Sequence, residues 1–146
     1  MKEENALAYA RSQGFDSLLA YANSLSDFQR HNGMLITEIG DGSCTVEVTL
    51  TENSNNFQQI AHGGLIYSLC DTAGGMAADC LYPPFGVTIS GSLNYLRPGI
   101  GKKLFAKGTL VKAGRTVQVA DTDVYNEEGM HVAHGTFTYY LQRSDS

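Results

Sequence analysis

The sequence has no tryptophan, only three prolines and only three cysteines in 146 residues. Cys44, Cys70 and Cys80 are odd in number and far apart, which argues against a disulfide framework and against a zinc site. No stretch reaches the ~18 consecutive apolar residues of a membrane helix. Met1-Lys2-Glu3-Glu4-Asn5 leads into no apolar run of the kind a secretory signal carries, so the expected location is the cytoplasm. Acidic residues are missing from one long segment. Between Asp79 and Asp121 there is none, while Arg97, Lys102, Lys103, Lys107, Lys112 and Arg115 lie within it. The rest of the chain carries four basic and fifteen acidic residues, and the net charge is −5. An acidic chain is a poor general nucleic-acid binder. The basic block suits the phosphates of an anionic ligand, and equally an ordinary solvated strand face. No Walker loop and no GxGxxG after a strand accompanies it.

What is present is enough for one domain. The length falls in the ~100–200 residues of a typical domain, and the chain is too apolar for disorder. Ala6, Ala10, Phe15, Leu18, Leu19, Ala22 and Leu25 recur at helical spacing, with a break at Gly14. Asp16 is expected to open the second helical piece and Ser26-Asp27 to close it. From Gly33 the period changes. Met34 to Ile39 reads as a strand, Gly40-Asp41-Gly42 as a hairpin turn, and Cys44, Val46, Val48 and Leu50 alternate with polar residues.

Ile60 to Leu81 predicts a helix. Leu65, Ile66, Leu69, Cys70, Ala73, Met76, Ala77 and Cys80 share one face. The other face, with Tyr67, Asp71, Gly74, Gly75 and Ala78, is too small and apolar for a solvated surface. The helix is therefore expected to be buried nearly all round. Gly74-Gly75 mid-helix costs ~1 kcal/mol per glycine relative to alanine, which predicts a close approach to the backbone there. Pro83-Pro84 are expected to end the helix. Four strands follow: Gly86 to Leu96, Lys103 to Lys112, Arg115 to Tyr125 and Met130 to Leu141. The fold class is α+β, a six-stranded, mostly antiparallel sheet wrapped on a central helix.

Three places on this frame carry chemistry. Asn56 and His62-Gly63-Gly64 stand at the start of the helix, where free N–H groups and the dipole favour negative charge. Such amides form an oxyanion hole for a tetrahedral acyl intermediate. The glycines serve close helix–sheet packing equally well, and His62 reads as a capping residue. Asp71 lies two and a half turns further on, and a carboxylate on a buried face is either a base or the partner of a buried donor. Cys70, beside it, lies about 100° around the helix on the apolar face. An apolar setting keeps a thiol protonated, so Cys70 reads as core rather than nucleophile. His31, His131 and His134 fit no metal spacing. His131 and His134, three apart on a strand, are expected on opposite faces.

The run from Asn56 to Ala73 resembles the signature of hotdog-fold acyl-CoA thioesterases, in the phenylacetate-degradation (PaaI-like) branch. The similarity continues through Gly86-Val87-Thr88, Asn94-Tyr95-Leu96-Arg97-Pro98 and Lys112-Ala113-Gly114-Arg115. It implies a single hotdog domain over residues 1–146, with a core at 33–142 and an extra N-terminal helical segment at 1–28. Hydrolysis of an acyl-CoA thioester to acid and CoA is implied, with Asp71 as general base or nucleophile and the Gly63 N–H polarising the carbonyl. His62 orients that turn, Asn56 and Thr88 help hold water or substrate, and Gly64, Arg97, Lys112 and Arg115 contact CoA. No cofactor or metal is implied, since CoA is part of the substrate. Sites of this family form between subunits, which implies a homodimer at least and a tetramer as a dimer of dimers. The alternatives are an acyl-thioester dehydratase or hydratase of the same fold, or a non-catalytic acyl-CoA-binding protein. Tyr67, Tyr82, Phe85 and Phe57 are candidates to line an acyl pocket.

Overall fold

The computed structural model describes residues 8–82 and 85–142, and the Pro83-Pro84 pair lies outside them. Residues 8–12 are helical. Helix α1 (Phe15–Ser24) follows Gly14, whose φ of 96° breaks the first piece from the second. The second piece ends at Ser24, just before the expected stop at Ser26-Asp27, but the helical segment does not end there. The Ser26 side chain accepts from the Gln29 N–H and opens a further short helix, α2 (Asp27–His31), with Asp27 in its first turn, as N-capping and the helix dipole favour. The extension therefore runs to His31. Asn23 fastens it to the sheet, donating to the Ile36 carbonyl (2.9 Å) and accepting from the Ile36 N–H (2.8 Å).

The strands are β1 (Met34–Gly40), β2 (Ser43–Thr49), β3 (Val87–Tyr95), β4 (Lys103–Ala113), β5 (Val117–Asn126) and β6 (His131–Tyr140). They form one sheet in the order β1-β2-β4-β5-β6-β3, and all its pairings are antiparallel. Helix α3 (Gly63–Ala77) lies across the inner face against β4, β2 and β5. Along β5, Gln118, Ala120, Thr122, Val124 and Asn126 are buried between half-buried neighbours, the alternation expected of a strand with one covered face. At Gly108 an added Cβ would collide with the Ala73 carbonyl. Glycine there lets the β4 and α3 backbones touch.

The Gly74-Gly75 pair has its explanation within the chain. An added Cβ at Gly74 would overlap the Tyr139 hydroxyl, which donates to the Asp71 carbonyl at 2.9 Å. Gly74, Gly75 and Ala78 are buried, so the chain's own β6 covers that part of the helix. Helix α3 is also shorter than the apolar pattern predicts. Ala61 forms an isolated bridge with Asn55, and Ala78 turns extended at the C-terminus. The buried Gln118 causes that exit: its Oε1 accepts from the Asp79 N–H (2.9 Å) and its Nε2 donates to Asp79 Oδ2 (2.8 Å). A short 3-10 turn, Asp79–Leu81, follows.

Strand β3 is an edge, paired only with β6. Val87 and Ile89 are 58% and 57% exposed, and Tyr95 is exposed too. An uncovered edge strand presents unpaired N–H and C=O groups that another chain can pair with. Among the described residues, no helix is long and apolar enough to cross a membrane.

Candidate active site

The start of α3 sorts its amides. His62 is the N-cap, and its Nδ1 accepts from the Gly64 N–H at 2.8 Å. The N–H groups of Leu65 and Ile66 are taken by the His62 carbonyl. Among the described residues, none accepts from the Gly63 N–H. Gly63 therefore presents the uncommitted donor, and His62 keeps its neighbour Gly64 in place. The Gly63 carbonyl accepts from the Tyr95 hydroxyl at 2.6 Å, which ties the turn to the end of β3. Asn56 Oδ1 accepts from the N–H groups of Gln58 (2.8 Å) and Ile60 (3.4 Å), fixing the preceding loop. Asn56, Gly63, Tyr95 and Arg97 line one cleft of about 320 Å³.

Asp71 is partly buried, and its Oδ1 accepts from the Thr88 hydroxyl at 2.7 Å. Asp71 and Thr88, two of the residues the resemblance implies for the site, thus meet directly, whereas Asn56 lies in the Gly63 cleft. Tyr139 fixes the same turn of helix through the Asp71 carbonyl. Burial, with the charge of Asp71 beside it, holds the Tyr139 phenol well above its ordinary value, so it remains a donor.

The Gly63 amide and Asp71 do not meet within one chain. Eight residues of α-helix separate them, about 12 Å of rise. The basic residues divide in the same way. Arg97 lines the Gly63 cleft and donates to the His131 carbonyl at 2.9 Å. Lys112 and Arg115 lie at the opposite end, where Ala113 pairs with Gln118, Gln118 with Tyr139 and Tyr139 with Thr88. Lys103 is engaged by Glu47 at 3.2 Å. The acid-free segment is therefore not one patch: β4 carries Lys103 and Lys112 to opposite ends of the sheet, with Lys107 between them.

Cys70 is fully buried, and burial pushes its thiol up to about 12. Replacing it with alanine is expected to leave turnover within a few-fold of the parent, measured as thiol release; a loss matching that of an Asp71 variant would reinstate a thiol mechanism. Three of the four aromatic candidates go to different surroundings. Tyr67 packs edge-on against Phe137 at 5.0 Å, Tyr82 lies under the Arg11 guanidinium at 4.6 Å, and Phe57 is 90% exposed. A larger cleft of about 740 Å³ opens on the other side of His62, between Phe28, Arg30 and His31 of α2 and Gly64, Leu65 and Ser68 of α3. Sequence reasoning missed it, because its walls come from α2, the loop after β2 and the start of α3, which only the fold brings together.

His131 and His134 are not on opposite faces. The register shifts between Val124 and Tyr125, so His131 pairs with Tyr125 while Ala133 pairs with Val124. The extra residue restores both imidazoles to the outer face, where both touch Asp123.

A family model described as the thioesterase superfamily matches residues 58–133. The medium/long-chain acyl-CoA thioesterase YigI of Escherichia coli is 35% identical over 99 residues, 58% of this chain and 64% of that protein. The chain thus matches less than two thirds of that relative's length. The acyl-coenzyme A thioesterase PaaI of Escherichia coli is 31% identical over 69% of this chain and 72% of its own. A hypothetical thioesterase from Streptococcus pneumoniae, solved with coenzyme A, is 36% identical, with a TM-score of 0.69 over 77% of this chain and 88% of that one.

Proposed function

The chain belongs to the thioesterase superfamily, in its PaaI-like branch and with the hotdog fold, and from that premise we propose that it hydrolyses an acyl-CoA thioester. The observation that carries this reading is a pair of groups poised for acyl transfer: the uncommitted Gly63 N–H at a helix N-terminus, and the Asp71 carboxylate held by Thr88. Asp71 takes a proton from water as the water attacks the thioester carbonyl. The Gly63 N–H donates to the oxyanion of the tetrahedral intermediate, where such a donor acts most strongly. Collapse expels CoA as its thiol, with the proton returned, and leaves the free acid. Direct attack by Asp71, through an anhydride that water then opens, is the other route open to the same carboxylate.

The ~12 Å between the two groups supports a site shared by two chains. The uncovered edge of β3, with Val87, Ile89 and Tyr95 exposed, supplies the contact. Two-fold pairing of one β3 edge with another is antiparallel. It brings the Thr88 end of one chain against the Tyr95 end of its partner. That arrangement joins Asp71, Lys112 and Arg115 of one protomer to Asn56, Gly63 and Arg97 of the partner. It thereby reunites the two basic ends around one ligand, with CoA phosphates as the anions. Association of such dimers into tetramers and a cytoplasmic location belong to the same proposal.

The test is a CoA-release assay on a panel of aryl- and fatty-acyl-CoAs. At least one acyl class is expected to turn over with stoichiometric acid and CoA. Hydration of an enoyl-CoA without CoA release would transfer the site to the hydratases, and tight binding without any turnover would leave a non-catalytic acyl-CoA binder.

A further inference from the structure

On the outer face of the sheet, away from α3, Asp123 of β5 faces His131 and His134 of β6. His131 Nε2 and His134 Nδ1 each lie 2.8 Å from the same oxygen, Asp123 Oδ1. The donor atoms of the three side chains all fall within 4.8 Å of one another. We propose that these three residues bind one first-row divalent transition-metal ion, with zinc as the reference case. Two imidazole nitrogens and one carboxylate oxygen are the donor set that such ions favour. Ligands ~2.0–2.2 Å from a metal stand roughly 3.0–3.5 Å apart, so the side chains need only small rotations to admit an ion between them.

The backbone prepares the set. Without the register shift at Tyr125, the two histidines would fall on opposite faces, and no ion could reach both. The His131 ring is stacked on Tyr125 at 4.8 Å and 18°, which fixes its plane, and its carbonyl is held by Arg97. The three side chains are a third to a half exposed, so an ion has an entry path and open positions for water or an outside ligand. Lys107 pairs with Asp123 across β4 and β5, and Glu38 lies further along the same cleft. The cations beside the set are thus Lys107 and Arg97, with Glu38 three strands away on β1, and the Asp123 carboxylate supplies the ligand charge. Asp121, the next outward acid on β5, is occupied by the Thr136 hydroxyl at 2.9 Å.

The full-length protein, stripped with a chelator and dialysed, is titrated with zinc ions alone by calorimetry and with cobalt ions by visible absorption. One zinc per chain is expected, with cobalt bands of a low-symmetry nitrogen–oxygen site and a melting temperature that rises with zinc. Affinity should fall at least about tenfold in His131→Ala and in His134→Ala, and should be unchanged in His31→Ala. The proposal is overturned if the wild-type protein binds zinc no more tightly than the His131→Ala/His134→Ala variant. A loss in His31→Ala equal to that in His134→Ala overturns it too, because it moves the ion to the α2 cleft. The wild-type cobalt spectrum does not depend on any variant folding, and its absence overturns the proposal by itself.

Discussion

Asp71→Asn is expected to lower CoA release by about 10²–10⁴-fold, the range a positioned general base contributes, while the melting temperature stays close to that of the parent. The substitution is nearly isosteric. The asparagine oxygen can still accept from Thr88, and the Tyr139 hydroxyl bonds the backbone carbonyl of this residue rather than its carboxylate. What is lost is the capacity to take a proton from water or to attack the thioester. The fall should appear in kcat with KM little changed, because the binding surface is intact. Asp71→Ala should be as inactive. Hydrolysis unchanged in either variant would remove Asp71 from the chemistry and with it the assignment of the site.

The order of elements was legible in the sequence because period and turn residues report local structure directly. Cys44, Val46 and Val48 alternate as read, and all three are buried. Gly42, at φ 73°, turns the β1–β2 hairpin where the Gly-Asp-Gly run placed it. The helix signature likewise located His62, Gly63 and Asp71 on one helix. What could not be read was what depends on a distant partner. The exit of α3 at Ala78 is dictated by Gln118, forty residues further on, so an apolar run extending to Leu81 misled. The Gly74-Gly75 approach was legible, but not that Tyr139 of the same chain makes it. The small-residue face therefore gives no argument for a second subunit; the exposed β3 edge and the separation of Gly63 from Asp71 do. The two histidines on β6 were misplaced because a bulge adds one residue without any local sign in composition. The single basic block was a feature of the sequence, not of the surface, since β4 and its turns carry its members to both ends of the sheet.

Gly63→Pro is a clean deletion of the proposed oxyanion donor. Gly63 is the first residue of α3, where proline is favoured and its missing N–H breaks no helical bond. His62 already has φ −61° and ψ 135°, the extended conformation required before proline. The nearest atoms a Cβ at this position would meet belong to Tyr95, at 3.5 Å, an ordinary contact distance. The helix should therefore persist while kcat falls by about 10²–10³-fold, the effect of removing one oxyanion donor. This variant also tests where the site lies. If each site takes Asp71 from one chain and Gly63 from its partner, a mixed dimer of Asp71→Asn and Gly63→Pro chains gathers both lesions into one site and leaves the other intact. Random pairing makes about half of the dimers mixed, so co-expression of two nearly inactive chains should restore about a quarter of wild-type activity. If Asp71 and Gly63 served the same site within one chain, no pairing could produce an intact site. The co-expressed mixture would then be no more active than the average of the two variants.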